Sequence, residues 1–147
     1  MATTTNSLTL TSSDLFEDSL SISNTSTCYK AGTTIGLDQT TGLVKTYVTA
    51  TQQFDPFPVV KGTTNAAENG KVYISNESEI ASEYITVGIG DAVIGRLYAG
   101  DWMWMPWSPK AQHVNDIEIT PSVATGMFVE FMAIHNYANI YPDSADS

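Results

Sequence analysis

The chain has 147 residues, enough for one domain with a single hydrophobic core, and 42% of them are hydrophobic. Its 16 acidic residues outnumber its 6 basic ones, and the net charge of -10 disfavours binding to nucleic acid and to anionic lipid because like charges repel. No apolar run approaches the roughly 20 residues that span a bilayer, and no conventional signal peptide is recognisable. We therefore expect a protein that is made and folded in a cytosol, where the single cysteine, Cys28, stays a reduced, buried or half-buried side chain.

Residues 1–12 are rich in Thr and Ser and are expected to form an extended N-terminal arm. Within it Leu8 and Leu10 alternate with hydroxyl residues, which is the period-2 pattern of a strand. Residues 13–17 are predicted to form one helical turn with a capping box. Alternation over residues 19–23 predicts a second strand with a polar face.

The middle of the chain continues this series of short strands. Alternation predicts strands over residues 43–51 and 71–75. Between them, residues 54–58 read FDPFP, and two prolines exclude a central strand. We expect an edge, a corner or a crossover there.

Residues 83–107 are predicted to form three strands joined by tight turns. Gly90-Asp91 and Gly100-Asp101 separate the three runs and supply residues that tolerate turn dihedrals. Consecutive strands joined in this way indicate a β-meander.

The third of these runs, residues 102–107, is apolar on both faces. Trp102 and Trp104 alternate with Met103 and Met105, and neither set suits water. One interpretation is that one face lies on the core of the domain and the other on a further layer or subunit. The other is that both faces are intramolecular core. The sequence leaves both open.

Two further strands are predicted, over residues 117–119 and 127–135. Eight to ten short strands with almost no helix predict an all-β fold, an antiparallel β-sandwich of jelly-roll type with an extended N-terminal arm. We expect the arm to span residues 1–12 and a single sandwich domain to span residues 13–147.

Patterns that carry catalytic or metal chemistry are weak. His113, Asp116 and Glu118 have a spacing compatible with a metal site, but the paired histidines of a cupin site are missing and polar loops usually hold such side chains in solvent. Gly88 to Asp91 lacks the third glycine and the helix of a phosphate loop. We therefore predict no catalytic residue, no metal, no cofactor and no enzymatic activity.

Two blocks carry a resemblance to a known family. The order VYISNES, YITVGIGD and RLYAGDWMWMPW, together with the opening SLTLTSSDLFEDSLSISNT, resembles small β-sandwich structural proteins of tailed phages, of the capsid decoration or cement type and including those of cyanophages. The resemblance covers about half of the chain. It implies a sandwich that decorates a capsid or forms part of a head fibre or tail, commonly as a trimer.

The functional prediction follows from this resemblance. We expect a non-enzymatic virion protein on the capsid surface that binds the major capsid protein and itself, as a homotrimer, but neither nucleic acid nor membrane. A Thr-rich arm is suited to adding a strand to a neighbour's sheet. The expected arm and anchor residues are Leu8, Leu10, Leu15 and Phe16, and the expected interface or core cluster is Trp102, Trp104 and Trp107.

Two alternatives use the same residues differently. Aromatic side chains on an exposed face also suit sugar rings, which would make the chain a glycan- or receptor-binding module of a tail or head fibre. A third possibility is an enzyme built on the same sandwich, either a cupin-like isomerase or a glycan hydrolase.

Overall fold

The computed structural model describes residues 3–15, 17–30, 32–49, 70–107 and 117–135, and it is all-β within them. Every strand pairing is antiparallel, and the sheets pack together as in a β-sandwich, which confirms the predicted class. The jelly-roll connectivity stays a prediction. No helix among the described residues is long and apolar enough to cross a membrane. The strands are β1 (Thr5–Ser12), β2 (Leu20–Thr27), β3 (Gln39–Thr40), β4 (Val44–Val48), β5 (Lys71–Asn76), β6 (Tyr84–Ile89), β7 (Ala92–Tyr98), β8 (Trp102–Pro106), β9 (Ile117–Pro121) and β10 (Met127–His135).

The main sheet is built around β10, with β5 and then β8 on one side of it. On its other side β4 pairs with the first half of β10 and β3 with its end. Between these two strands the hydroxyl of Thr41 accepts the amide hydrogen of Ala133 at 2.9 Å, so a side chain replaces the missing backbone acceptor. The two short strands therefore act as one interrupted edge strand.

The smaller sheet has the order β7-β6-β9. Its hairpin turn is Gly90-Asp91, as predicted, and Gly90 has a φ of 53°, in the left-handed region that glycine enters without steric cost.

The core lies between the inner faces of these two sheets. Alternation along β5 and β10 turns every second side chain inward, and the same holds for β6 and β9. The inward positions hold branched aliphatic residues and one ring, all almost fully buried. They are Val72, Ile74, Val129 and Phe131 from the main sheet, with Ile85, Val87, Ile117 and Ile119 from the smaller one.

A buried amide links the two sheets where β5 ends. Asn76 has no solvent exposure, and its Nδ2 donates to the carbonyl oxygens of Leu97 at 2.9 Å and Glu83 at 3.4 Å. Its Oδ1 accepts the backbone N–H of Ser78 at 2.9 Å. Because a buried amide must have its partners, this residue holds the ends of β6 and β7 against the main sheet.

The predicted meander is wrong at its third strand. β6 and β7 form a hairpin, but β8 pairs with β5 in the other sheet. The backbone amide of Gly100 donates to the carbonyl of Asn76 at 3.1 Å, and the amide of Asn76 donates to the carbonyl of Asp101 at 2.9 Å. These two bonds direct the chain after β7 alongside β5.

The N-terminal strand pairs within its own chain. All eight residues of β1 pair with β2, from Thr5 opposite Thr27 to Ser12 opposite Leu20. The projecting element is therefore a two-stranded ribbon over residues 5–27, hereafter the ribbon, and the boundary expected at residue 12 falls inside it.

The helical turn predicted at residues 13–17 is wrong for the residues described there, which form bends between β1 and β2. The hydroxyl of Ser12 accepts the backbone N–H of Leu15 at 3.1 Å and that of Asp14 at 3.5 Å. A serine side chain that bonds these amides locally favours a turn over a helix.

Candidate binding surface

The ribbon has two chemically different faces. In an antiparallel pair, directly opposed residues and every second residue point to the same side. One side carries the apolar residues Leu8, Leu10, Leu20 and Ile22, with Leu10 directly opposite Ile22. The other four residues on this side are polar and uncharged: Asn6, Ser12, Asn24 and Ser26. On the other side all eight residues are Ser or Thr, and one of their pairs, Ser7 with Thr25, is hydrogen-bonded at 3.0 Å.

The apolar face of the ribbon is not covered within the described part of the chain. Leu8 is 46% exposed, Leu10 49% and Ile22 40%. Neither strand contains a charged residue or a proline, and the register runs without a bulge. A two-stranded ribbon alone is marginally stable in water. These properties are typical of an element that is completed by another surface.

The base of the ribbon is anchored to the sandwich. The carbonyl of Thr4 accepts the amide hydrogen of Cys28 at 2.8 Å, and Asn6 Nδ2 donates to the Cys28 Sγ at 3.4 Å. Cys28 is buried, as predicted, in a small cluster with Leu37 and Ile134. This cluster fixes where the ribbon leaves the sandwich.

The outer face of the main sheet is unusually aromatic beside that anchor. Register places Tyr73 of β5 opposite Trp104 of β8, with Trp102 on the same side of the sheet. The rings of Tyr73 and Trp102 lie 6.4 Å apart between centroids at an angle of 36°. Trp102 is 53% exposed, which is high for the largest apolar side chain.

The ribbon base and this aromatic face enclose a groove of about 570 Å³. That volume lies in the range of ligand sites. The described residues that line it are all uncharged: Asn6, Ser7, Leu8, Tyr73, Trp102, Met103 and Trp104. Leu8 belongs both to this groove and to the apolar face of the ribbon, so the two surfaces are continuous. We call them together the ribbon–groove surface.

The four residues expected in the arm have different positions. Leu8 and Leu10 lie on β1, on the ribbon–groove surface. Leu15 lies in the bend between the two ribbon strands and is 66% exposed. Phe16 lies outside the described residues.

The three predicted tryptophans separate. Trp102 and Trp104 line the groove, and Trp104 also packs against the cluster around Cys28. Trp107 is buried in the main core. On the opposite face of β8, Met103 and Met105 pack against that core. Of the two interpretations of this strand, the inner face is therefore intramolecular core, whereas the outer face stays open at Trp102.

Three residues of the surface were missed by sequence reasoning. Ile22 and Leu20 were recognised as strand positions, and only the pairing of β1 with β2 shows that they share a face with Leu10. Tyr73 was visible in the alternation of β5, but its contact with Trp102 follows from the β5–β8 pairing, which a predicted meander does not contain.

Polar chemistry in the described residues is sparse. No group of three or more His, Cys, Asp or Glu side chains there is placed to hold a metal ion. His113 and Asp116 lie outside the described residues, and Glu118 lies half-buried on β9. The pKa of Asp38 is lowered, chiefly by a hydrogen bond from the Lys30 ammonium group 2.7 Å away, and this pair joins the two ends of the loop that follows the ribbon.

No family model, curated protein or solved structure matches the chain. Function is therefore inferred from the geometry of the ribbon–groove surface and from its charge.

Proposed function

We propose that the protein is a non-enzymatic structural protein of a tailed-phage virion, a capsid decoration protein that binds the outer capsid surface through its ribbon–groove surface and stabilises the shell. Its partners are then the major capsid protein and further copies of itself, as a homotrimer. It is made in the host cytoplasm and ends on the capsid surface. The phage-protein resemblance of the sequence supports this assignment.

The observation that carries the proposal is the uncovered ribbon. It exposes Leu8, Leu10 and Ile22 on an uncharged strand pair that projects from a well-packed sandwich. A soluble chain that leaves such a face open gains free energy when a partner covers it. A capsid decoration protein needs a face that gains free energy when a partner covers it. The same modest contact, repeated over many copies on a shell, adds up to mechanical stability.

The charge distribution is consistent with an outer capsid position. The chain carries a net charge of -10, whereas β1 and β2 carry none. Negative charge keeps the free face soluble and away from packaged DNA. The two strands of the ribbon avoid the cost of desolvating charges at the contact, and the three acidic residues of the ribbon, Asp14, Glu17 and Asp18, lie in the bend between the strands.

Co-sedimentation with empty capsids of the encoding phage tests this function. We expect the full chain to bind saturably. Replacing Leu10 and Ile22 by Ser should weaken binding about 30- to 700-fold, since the two truncated anchors together cost about 2–4 kcal/mol and 1.4 kcal/mol is tenfold.

A matched control is available on β7, where Val93 is 71% and Ile94 51% exposed. Serine at these two positions should leave capsid binding unchanged. The proposal is wrong if the full chain does not bind capsids, or if the ribbon variant and the β7 variant bind equally well.

A specific feature favours a second candidate, a glycan-binding module of a fibre. Tyr73 and Trp102 present adjacent rings in an uncharged groove, which suits a neutral sugar with one apolar face. Tryptophan fluorescence that shifts on titration with neutral oligosaccharides, and no longer does so in Trp102→Ala, would support it. An unchanged spectrum would remove this candidate.

A further inference from the structure

A second exposed surface lies on the outer face of the smaller sheet, on the other side of the sandwich from the groove. It carries the side chains of β6, β7 and β9 that alternate with the core residues of these strands. Register places Tyr84 opposite Tyr98, and it places Thr86 between Arg96 and Thr120. We call these five residues together the tyrosine–arginine face.

Arg96 has no anionic partner within the described part of the chain. Its guanidinium carbon lies 4.4 Å from the centroid of the Tyr84 ring. A guanidinium stacked on a ring keeps the N–H groups at its edge free to donate. Lys30 and Lys45 each pair with a carboxylate, whereas none of the described carboxylates lies within ion-pair distance of Arg96. In a chain with 16 acidic residues, this exposed and oriented guanidinium is suited to a carboxylate from outside.

Four hydroxyl groups share the face with this guanidinium. They belong to Tyr84, Thr86, Tyr98 and Thr120, and none of the four makes a hydrogen bond to another described residue. The two tyrosine rings lie 5.2 Å apart between centroids at an angle of 50°, and Tyr98 is 42% exposed. Because a hydroxyl both donates and accepts, these groups suit a ligand that itself carries hydroxyls. The exposed ring suits a ligand with an apolar face.

The backbone holds the two tyrosines in place. The amide of Tyr84 donates to Ser122 Oγ at 3.0 Å, and the amide of Tyr98 donates to Asp101 Oδ2 at 2.9 Å. The buried side chain of Asn76 binds the carbonyl that precedes each tyrosine. Since the rings are positioned before a ligand arrives, little ordering cost opposes binding.

The size of the face favours a small ligand over a protein partner. Three strands span about 10 Å and five residues about 17 Å, so the face covers about 170 Å². A stable protein contact needs about 800 Å² from each partner. The face is large enough for one or two sugar rings. Glu118 lies opposite Gly88, about 7 Å along the face from the row of Arg96. Repulsion from Glu118 directs a bound anion toward the tyrosine end.

We propose that the tyrosine–arginine face binds a carboxylated sugar, with the carboxylate on the guanidinium of Arg96 and the sugar ring against Tyr98. This site goes beyond the proposed function and does not depend on it, because it lies on the other sheet from the groove. The net charge of -10 repels an anion at long range. We therefore expect a weak site, with a Kd of about 1 mM for a single short ligand.

Titration with a trimer of galacturonic acid, followed by the amide NMR spectrum of the full chain, tests the site. Amides of β6 and β7 should shift and approach saturation at about 20 mM, twenty times the expected Kd. The neutral galactose trimer is the matched ligand, because only the carboxylate is replaced by a hydroxymethyl group. It should bind at least about tenfold more weakly, since it offers no charged acceptor to Arg96.

Two variants locate the contact. Arg96→Gln and Tyr98→Ala alter exposed side chains, and each should weaken binding of the galacturonic acid trimer about tenfold. Lys45→Gln is the matched control, because it removes the same charge from the main sheet. It should leave binding unchanged. Circular dichroism checks the fold of each variant, and the comparison of the two trimers on the wild-type chain needs no variant.

Several results would overturn the proposal. These are the absence of shifts at about 20 mM, equal binding of the two trimers, or shifts confined to β5 and β8. Equal weakening by Lys45→Gln and Arg96→Gln would show that only the net charge matters. A glutamate tripeptide that binds as well as the galacturonic acid trimer would show that the face does not select a sugar. Arg96→Gln should bind capsids like wild type, so failure of this site leaves the proposed function standing.

Discussion

Apolar and polar residues alternate in strands of both the ribbon and the sandwich, but the apolar residues are buried only in the sandwich. In β10, every second residue is apolar and lies against the smaller sheet, so that Val129 and Phe131 have no exposed surface. In the middle of β1, Leu8 and Leu10 also alternate with hydroxyl residues, yet both leucines remain nearly half exposed. Alternation therefore defines an apolar face, whereas burial depends on whether a second layer lies over that face.

The largest expected effect is a loss of stability from a substitution in the sandwich core. Phe131→Ala should lower the free energy of unfolding by about 3–5 kcal/mol, because the ring is fully buried between the sheets. Phe128→Ala is the matched control on the outer face of the same strand, where the ring is 46% exposed, and it should cost about 1 kcal/mol or less. Urea unfolding followed by circular dichroism measures both. Equal losses would contradict the assignment of the two faces.

The next largest expected loss of stability is at Asn76, whose buried amide links the two sheets. Asn76→Ala removes a buried amide and leaves the Leu97 carbonyl and the Ser78 amide without their partner. We expect a loss of about 2–4 kcal/mol in the free energy of unfolding, since each unsatisfied buried group costs about 1–3 kcal/mol.

Asn24→Ala, at an exposed position on the ribbon, is the matched control. It should change the free energy of unfolding by no more than about 0.5 kcal/mol. A similar small change for Asn76→Ala would show that the two sheets do not depend on this amide.

The ribbon predicts a small effect on stability. Leu10→Ala should change the unfolding of separate copies by about 0.5 kcal/mol or less, because half of the side chain stays in water. Urea titration at low protein concentration keeps the copies apart. A loss above about 2 kcal/mol would be typical of a buried leucine and would mean that the ribbon is covered within one chain.

The ion pair at the ribbon base predicts the smallest effect, and it depends on pH. Lys30 lowers the pKa of Asp38 below its ordinary value of 3.8 in the folded chain, while some desolvation opposes the shift. The contribution is therefore present above about pH 4 and is lost as the pH falls through the lower folded value. Thermal unfolding of Asp38→Asn from pH 2 to 7 should show slightly less loss at acid pH than wild type. An unchanged pH profile would contradict a role for this pair.

The sequence predicted the class of fold well because each strand has its own local signal. Val72, Ile74, Ile117 and Ile119 alternate with polar residues, and branched side chains suit a pleated surface. The turn at Gly90 was also predicted from the sequence, since a tight hairpin needs a residue that tolerates positive φ.

Local sequence patterns could not predict which distant strands pair with each other. β8 looks like the third strand of a meander, but the backbone bonds between Asn76 and the residues before Trp102 place it beside β5. The turn after Ser12 looked like a capped helix, whereas the serine hydroxyl bonds the amides and the chain reverses.

For the same reason, only some residues of the ribbon–groove surface were predicted. Leu8 and Leu10 were expected in a partner-binding arm, and Trp102 was expected in a cluster that was either interface or core. Ile22 and Tyr73 join them only through register, which the sequence does not state.

Amide hydrogen exchange over a range of protein concentrations tests the central claim, that the ribbon is completed by a partner, most directly. Amides of β5 and β10 should be protected to the same extent at every concentration, because they lie in the core of one copy. Amides of β1 and β2 should exchange quickly in dilute protein and become protected as copies associate or as capsids are added. Ribbon amides that exchange equally fast in dilute, concentrated and capsid-bound protein would contradict it.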